Sequence, residues 1–262
     1  MTRPLVDAAG LTIGDDTLVF MHLPKTGGTS FRSALRRAYP PDETALIYGS
    51  SGLDGAMTRA EFAILPEEAR HSLRLVIGHF PFGLHREVGR PSRYVTILRD
   101  PVDRVISLYY HFRNLPGIRF GSKGHRERLR MRVSRISLDD WIFSGRRQAM
   151  DNLMVRNISG SLGAPFGQCT DDLLDQALEN VERHFSTLLV MERMAESADR
   201  LEKLTGRKLA PLPRENANPK RPPLDEIDSR LRERVRELNH LDVRLYETAL
   251  ERLAPLPSPL RA

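Results

Sequence analysis

The chain has 262 residues, of which 40% are hydrophobic, and that is enough to bury one sizeable core. Its formal net charge of +6 favours polyanionic partners such as a nucleotide, an acidic glycan, nucleic acid or a membrane surface. The single cysteine, Cys169, excludes an intrachain disulfide, and no stretch reaches the roughly 18 apolar residues of a membrane span. With no signal-peptide pattern at the N-terminus, we expect a soluble, cytoplasmic protein forming one domain over residues 1–262.

The first forty residues predict a strand, a glycine-rich loop and a helix. Residues 18–23 form a short apolar run that is typical of a buried strand. Gly27 and Gly28 follow in a loop, and residues 29–39 have helical spacing with Phe31 and Leu35 on one face.

The rest of the chain continues the alternation of strands and helices. Further strands are predicted at 45–48, 73–77, 94–98 and 187–191. Helices are predicted at 58–70 with a break near Pro66, and at 102–113, 138–144, 149–159, 171–184, 195–204 and 227–253. This order predicts an α/β protein with a three-layer, P-loop-like fold, in which helices flank a central, mostly parallel sheet. The last helix is predicted to be long and amphipathic.

One segment interrupts this pattern. Residues 115–136 are rich in glycine and arginine and poor in apolar residues, so we predict a long basic excursion between elements. Its charge would suit an acidic glycan, and it is equally typical of a solvated loop. Within it only Phe120 could stack on a base, so nucleic acid is not expected as a partner.

The loop after the first strand has the composition of a phosphate or sulfate site. A glycine-rich turn before a helix presents backbone N–H groups to an anion, and the helix N-terminus adds partial positive charge. Lys25 supplies a full charge, although lysine accounts for only five of the 40 basic residues in this arginine-rich chain. Hydroxyl donors in the same segment are Thr26, Thr29 and Ser30.

This loop is not a Walker A motif, in which the lysine follows the glycines. The lysine here precedes them, and no clear strand-end aspartate is placed to hold magnesium, because Asp100 sits between Arg99 and Pro101. These departures argue against an ATP or GTP enzyme. A sulfuryl group carries less charge than a terminal phosphoryl group, so its transfer can run without a metal.

The stretch 22–31 (HLPKTGGTSF) resembles the 5′-phosphosulfate loop of sulfotransferase family 2, the group that includes heparan sulfate 2-O-sulfotransferase and its bacterial relatives. The resemblance implies sulfuryl transfer from 3′-phosphoadenosine-5′-phosphosulfate (PAPS) to an acceptor hydroxyl, with no metal required. The donor-binding residues that it implies in this loop are Pro24, Lys25, Thr26, Gly27, Gly28, Thr29 and Ser30. Lys25 is also the expected catalytic cation.

A second motif strengthens the resemblance. Residues 99–107 (RDPVDRVIS) resemble the family's 3′-phosphate motif, which implies that Arg99 and Ser107 bind the 3′-phosphate of PAPS. Arg99 would leave a parallel strand at its carboxyl end, where ligands of α/β proteins bind. Residues 216–222 resemble the late loop that closes over the nucleotide, where Lys220 and Arg221 would add charge.

The candidate general base is His79. Gly78 and His79 end the predicted middle strand, and in related glycan sulfotransferases the histidine of such a pair is the proposed base. An imidazole is suited to take a proton near neutral pH. His85 is a weaker alternative, and His22 is interpreted as a residue that shapes the loop.

Two weaker matches lie in the second half of the chain. Residues 152–160 resemble a family helix with the pattern Asn-x-x-x-Arg-x-x-x-Gly, although Met154 stands where the family often has glutamine. Residues 239–246 resemble the family's closing helix. The family favours a glycan acceptor. Two alternatives stay open, a catalytically inactive PAPS-binding module and a P-loop kinase-like phosphotransferase, and the sequence leaves the acceptor and the oligomeric state open.

Overall fold

The computed structural model describes residues 13–49, 53–113, 135–144, 147–212 and 221–253. The predicted basic excursion at 115–136 lies outside these ranges except for its last two residues. Lys220 also lies outside them, whereas the neighbouring Arg221 is described.

The described residues form one parallel sheet of six strands. They are β1 (Thr17–Met21), β2 (Thr44–Ile47), β3 (Ala56–Met57), β4 (Leu75–Gly78), β5 (Ser92–Leu98) and β6 (Phe185–Val190). The strand order is β3-β2-β4-β1-β5-β6, and every neighbouring pair is parallel. Strand β1 therefore lies between β4 and β5. The predicted parallel sheet is confirmed, and only the two-residue β3 has no counterpart among the predicted strands.

Helices connect and cover these strands. They are α1 (Gly28–Ala38), α2 (Arg59–Ala63), α3 (Glu67–His71), α4 (His85–Val88), α5 (Pro101–Arg113), α6 (Leu138–Ser144), α7 (Leu153–Ser159), α8 (Asp171–His184), α9 (Met194–Thr205), α10 (Ser229–Leu238) and α11 (His240–Leu253). Among the described residues, no helix combines the length and the apolar character needed to cross a bilayer.

Two apolar clusters lie between the sheet and the helices, one on each face of the sheet. Alternate residues of β1 point to opposite faces, because successive side chains of a strand alternate. Val19 packs in the cluster that contains α7, α8 and α11, whereas Phe20 packs in the cluster that contains α1 and α9. A third cluster joins α5, α6 and α10 around Trp141. The three-layer α/β architecture expected from the sequence is thus confirmed.

The prediction of a single terminal helix at 227–253 was wrong. The helix is divided at Asn239, between α10 and α11. The Asn239 side chain is fully buried, and its amide nitrogen donates to the carbonyls of Met150 (2.8 Å) and Val235 (2.9 Å). These bonds hold the chain at a bend that the continuous amphipathic pattern does not reveal.

The predicted helix at 149–159 is also divided. A 3-10 turn (Gln148–Met150) precedes Asn152, whose backbone is left-handed with φ 47°, and α7 begins at the next residue. The Asn152 side-chain oxygen accepts from the N–H groups of Leu241 and Asp242, at 3.0 and 3.1 Å. We call the surrounding buried groups the polar network, and its members are Asp151, Asn152, Arg156, Asn239 and Asp242.

Candidate functional site

The loop between β1 and α1 has an unusual backbone. Lys25 (φ 70°) and Gly27 (φ 85°) both adopt left-handed conformations, which a lysine seldom does. Backbone held in such a region indicates a local constraint and is enriched at ligand sites. The Thr26 hydroxyl donates to the Leu23 carbonyl at 2.9 Å and closes the turn from inside.

Gly28 allows the His22 side chain to pack directly against the start of α1. A Cβ atom added there would lie only 2.2 Å from Cδ2 of His22, so any other residue would displace the His22 ring. The first turn of α1 contains no acidic residue, and its N-cap residue, Gly27, provides no side-chain cap. The positive end of the helix therefore stays available to an anion.

Lys25 carries its charge in a poorly solvated position. Burial, and then the positive charges of Arg99 and Arg221, lower the pKa of the Lys25 ammonium to about 8. An ammonium that loses hydration beside two other cations is stabilised when an anion binds among them. This electrostatic situation favours a phosphate or sulfate ligand.

The two predicted phosphate anchors meet at the carboxyl edge of the sheet. Arg99 directly follows β5, which is the neighbour of β1. Its Nη1 atom donates to the backbone carbonyl of Lys25 at 3.0 Å. The sequence predicted that one nucleotide would touch both residues, and the structure places them in direct contact.

A third cation joins this pair through a carboxylate. Asp103 on α5 accepts from Arg99 Nε at 2.6 Å and also forms an ion pair with Arg221. Burial, and then Arg99, lower the pKa of Arg221 to about 10, and its buried Nε atom has no hydrogen-bond partner among the described residues. We call Lys25, Arg99 and Arg221 the cationic edge.

The other predicted donor-binding residues surround this edge to different extents. Thr29 and Ser30 lie in the first turn of α1, directly after the loop. Ser107 lies one turn beyond Asp103 on α5 and is partly exposed. The structure therefore places Pro24 to Ser30 in one loop and the helix turn that follows it. Arg99 bonds to Lys25, and Arg221 pairs with Asp103. Ser107 lies in the middle of α5, and Lys220 falls outside the described residues.

His79 follows β4 at the same edge of the sheet. Gly78 is required before it, because an added Cβ would lie 2.0 Å from the Ile47 carbonyl oxygen. The His79 Nδ1 atom lies 2.5 Å from the carbonyl oxygen of His22. Since a carbonyl only accepts, Nδ1 carries the proton in this bond and Nε2 is the nitrogen with the lone pair.

His22 supports His79 and is itself held by a tyrosine. Nδ1 of His22 lies 2.7 Å from the hydroxyl of Tyr48, and the His22 and His79 rings are 4.6 Å apart. Burial, followed by the charges of His79, Arg32 and Lys25, lowers the pKa of His22 well below its ordinary value. His22 is therefore neutral at physiological pH, which fits a positioning role between the loop and His79.

His85, the alternative base, lies in a different cluster. Its ring stacks on His184 with centroids 4.7 Å apart, and its Nδ1 atom lies 3.1 Å from the Tyr94 hydroxyl. Burial, and then His184, lower the pKa of His85. These contacts tie it to Tyr94 and His184, whereas His79 contacts His22 at the start of the loop between β1 and α1.

The weaker motif at 152–160 belongs to the polar network. Arg156 forms an ion pair with Asp151 at 2.6 Å, with both side chains about 1% exposed. The predicted departure, Met154, is fully buried in the core, and its backbone N–H donates to Asp242 at 3.1 Å. These residues connect α7 to α11 and stabilise the fold behind the candidate site.

Sequence reasoning missed two contributors to the site. Tyr48 follows β2 at the same edge as His79, so its position after a parallel strand was a usable signal. The double ion pair of Asp103 carried no such signal, because Arg221 is distant along the chain. Among the described residues there is no group of three or more His, Cys, Asp or Glu side chains arranged to hold a metal ion.

Comparison with known proteins identifies what the chain is similar to. The profile of the Sulfotransferase family matches residues 11–248, which is most of the chain. Heparan-sulfate 6-O-sulfotransferase 2 of Gallus gallus is 27% identical over 287 aligned positions, which cover 90% of this chain. The chain spans 66% of the length of that relative, slightly less than two thirds.

A solved structure is also similar over part of the chain. It is the crystal structure of mouse sulfotransferase SULT7A1 complexed with PAP, at 15% sequence identity and a TM-score of 0.36. The match covers 75% of this chain and 58% of the mouse chain.

Proposed function

Because the chain belongs to the sulfotransferase family, we propose that it transfers a sulfuryl group from PAPS to a hydroxyl of a carbohydrate acceptor. The observation that carries the donor assignment is the 3.0 Å hydrogen bond from Arg99 to the Lys25 carbonyl. It joins the two segments whose sequences resemble the 5′-phosphosulfate and 3′-phosphate motifs of the family. The likeness to a heparan-sulfate sulfotransferase supports the carbohydrate part of the proposal.

The cationic edge fits a doubly phosphorylated nucleotide in charge and in donor type. The loop residues from Lys25 to Thr29 would hold the 5′ end, and Arg99, Ser107 and Arg221 would hold the 3′-phosphate. Arg221 Nε is buried with no hydrogen-bond partner in the part of the chain that the structure describes, and the pKa of Lys25 is lowered. Both features indicate cations whose interactions an anionic ligand would complete.

The chemistry assigned to this chain is positioning, charge stabilisation and proton removal. PAPS, when bound, would supply the sulfuryl group for an in-line displacement in which the acceptor oxygen bonds to sulfur and the nucleotide bisphosphate is the leaving group. His79 accepts the acceptor's hydroxyl proton at Nε2, because its Nδ1 proton is held by the His22 carbonyl. Lys25 stabilises negative charge that develops at the phosphosulfate end.

Calorimetry with 3′-phosphoadenosine 5′-phosphate (PAP), set against ATP–magnesium, tests the donor assignment. We expect PAP to bind, and Lys25→Ala to weaken its binding by about a hundredfold, since a desolvated cation is removed from an anion site. Lys203→Ala is the matched control, because Lys203 is 70% exposed and pairs with Asp199 at the surface. It should leave the affinity for PAP unchanged.

The same measurements separate the alternatives. Binding of ATP–magnesium without PAP would overturn the proposal in favour of a kinase-like phosphotransferase. Tight PAP binding without transfer of radiolabelled sulfate to any carbohydrate of a broad panel would instead favour an inactive nucleotide-binding module.

A further inference from the structure

A pocket of about 270 Å³ opens beside the two histidines of the candidate site. It is lined by His22 and His79 at one end and by Gln148, Arg156 and Asn157 elsewhere. The remaining walls are apolar, formed by Pro24, Phe80, Pro81, Ala149, Leu153 and Leu162. Small-molecule sites typically enclose about 300–1,000 Å³, so this volume suits a single ring.

The side-chain amides on the lining are oriented by the protein itself. Nε2 of Gln148 donates to the carbonyls of Leu162 (3.1 Å) and Ala164 (3.0 Å), which uses both of its hydrogens. Nδ2 of Asn157 donates to the Leu153 carbonyl at 2.7 Å. Gln148 therefore has only its oxygen left for a ligand, and that oxygen accepts from hydroxyl groups and repels anions.

Arg156 does not make the pocket attractive to anions. Of the lining residues that the structure describes, it is the only lysine or arginine. Its side chain is 1% exposed and paired with Asp151, and it also donates to the carbonyls of Asp151, Ala164 and Pro165. Its charge is therefore neutralised within the fold, and burial keeps His22 neutral at the other end.

We propose that the acceptor unit that reacts in this pocket is an uncharged sugar ring. The inference rests on the proposed function, because it takes His79 as the base that faces the acceptor. A sugar ring offers a C–H face to Phe80 and Leu153 and hydroxyl donors to Gln148 and Asn157, in addition to the hydroxyl that faces His79. A phenol has one hydroxyl, which would be spent at His79, and a uronate ring would bring an unpaired carboxylate to an apolar wall.

Calorimetry in the presence of saturating PAP tests this class directly. The probes are 4-nitrophenyl β-D-glucoside, the matching glucuronide, which differs only in carrying a carboxylate at C6, and 4-nitrophenol alone. We expect the glucoside to bind at least about tenfold more tightly than either of the other probes. 4-Nitrophenol has no sugar hydroxyls for Gln148 and Asn157, and the glucuronide brings a carboxylate that has no counter-charge in the pocket. Equal or tighter binding of the glucuronide or of 4-nitrophenol, or no binding of the glucoside, overturns the proposal.

A pair of arginine substitutions tests whether the preference for the glucoside over the glucuronide arises in this pocket. Leu162 is 42% exposed at the pocket, so Leu162→Arg adds a cation there without disturbing the core. We expect it to reduce the preference for the glucoside over the glucuronide by about fivefold, since it supplies the missing counter-charge. Ile64→Arg adds the same charge at a position that is 81% exposed and does not line the pocket, and it should leave the preference unchanged. A preference that ignores Leu162→Arg contradicts the assignment to this pocket.

The failure of this inference is distinguishable from failure of the proposed function. PAP binding is measured first, on the same protein sample and in the same calorimeter cell. Loss of PAP binding would overturn the donor assignment, whereas PAP binding with no preference for the glucoside would overturn only the sugar-ring assignment.

Discussion

The cationic edge and the polar network use the same residue types for different purposes. In the polar network the positive charge of Arg156 is matched by Asp151, and the backbone N–H groups of Asn152 and Gly167 donate to side-chain oxygens. In the cationic edge, Lys25 is half-buried beside two other cations, and all the influences on its pKa lower it. A buried charge with its partners in place indicates a structural role, whereas a poorly solvated cation beside other cations indicates a binding site for an anionic ligand.

The largest effect that would sharpen this comparison is expected in the polar network. Asp151→Asn removes the negative charge beside Arg156 while keeping the shape of the side chain. We expect it to lower the free energy of unfolding by about 3–5 kcal/mol, because a guanidinium is left buried without its counterion. Chemical denaturation followed by circular dichroism measures this change.

The matched control for Asp151→Asn is Asp199→Asn. Asp199 pairs with Lys203 at 2.7 Å, but their side chains are 62% and 70% exposed. We expect a change within about 0.5 kcal/mol, as is usual for a surface pair. If Asp151→Asn proved as mild as this control, the division between structural and ligand-binding charges would lose its basis.

The sequence predicted the edge of the sheet better than it predicted the polar network. Strand ends could be found because apolar runs stop abruptly at polar residues, and parallel strands bring Lys25, His79 and Arg99 to one edge. The network depends on Asn152 and Asn239, which bond to segments almost ninety residues away. Local sequence patterns do not encode such distant partners. The two helices predicted at 149–159 and 227–253 therefore extended through Asn152 and Asn239, where the structure divides them.

The walls of the pocket proposed for the acceptor could not be predicted for a related reason. Pro24 and Phe80 lie beside recognised motifs, but Gln148, Leu153 and Leu162 come from a segment whose sequence indicates only helix and turn. Their approach to the histidines follows from how α7 packs on the sheet. The double ion pair of Asp103 is equally non-local, because Arg221 follows a proline-rich loop.

A second test compares two histidines that differ in position. His79→Gln keeps a side chain able to donate to the His22 carbonyl but removes the proton-accepting nitrogen. We expect the rate of sulfuryl transfer to fall by about a hundredfold or more, the usual scale for a general base, with the affinity for PAP unchanged.

His85→Gln is the control for that substitution. His85 packs against Tyr94 and His184, in a cluster separate from the loop. Transfer of radiolabelled sulfate to the best carbohydrate acceptor should stay within about twofold of wild type, as expected for a residue that touches no reacting group. The reverse outcome, with His85 essential and His79 dispensable, would move the site to the other cluster.

A third test uses pH to read the charge of the cationic edge. Below the lowered pKa of about 8, Lys25 is protonated and ready to bind an anion. We expect the affinity for PAP to fall about tenfold between pH 7 and pH 9, because binding above this pKa must first protonate the amine. Lys25→Gln should remove this pH dependence, and an unchanged profile in that variant would assign the titration to another group.

The same lowered pKa fixes the sign of a stability effect. Between about pH 8 and the ordinary lysine pKa, the unfolded chain retains a proton that folded Lys25 has released. The unfolded state then binds more protons, so the contribution of Lys25 makes the ligand-free protein more stable as the pH rises through this range. Comparing the denaturation of wild type with that of Lys25→Gln isolates this contribution.

The smallest effect concerns Asp103, a carboxylate that combines a structural role with a place in the proposed ligand site. Asp103 pairs with Arg99 and Arg221 where a phosphate is expected, so it both stabilises the ligand-free protein and opposes an incoming anion. We expect Asp103→Asn to tighten PAP binding about threefold to fivefold while lowering the unfolding temperature of the ligand-free protein, because the two arginines lose their internal counterion. Asp139→Asn, which removes the exposed partner of Arg230, should change neither quantity. Weaker PAP binding by Asp103→Asn would instead assign Asp103 the role of orienting the arginines, and the cationic edge would then resemble the polar network in being built around a structural carboxylate.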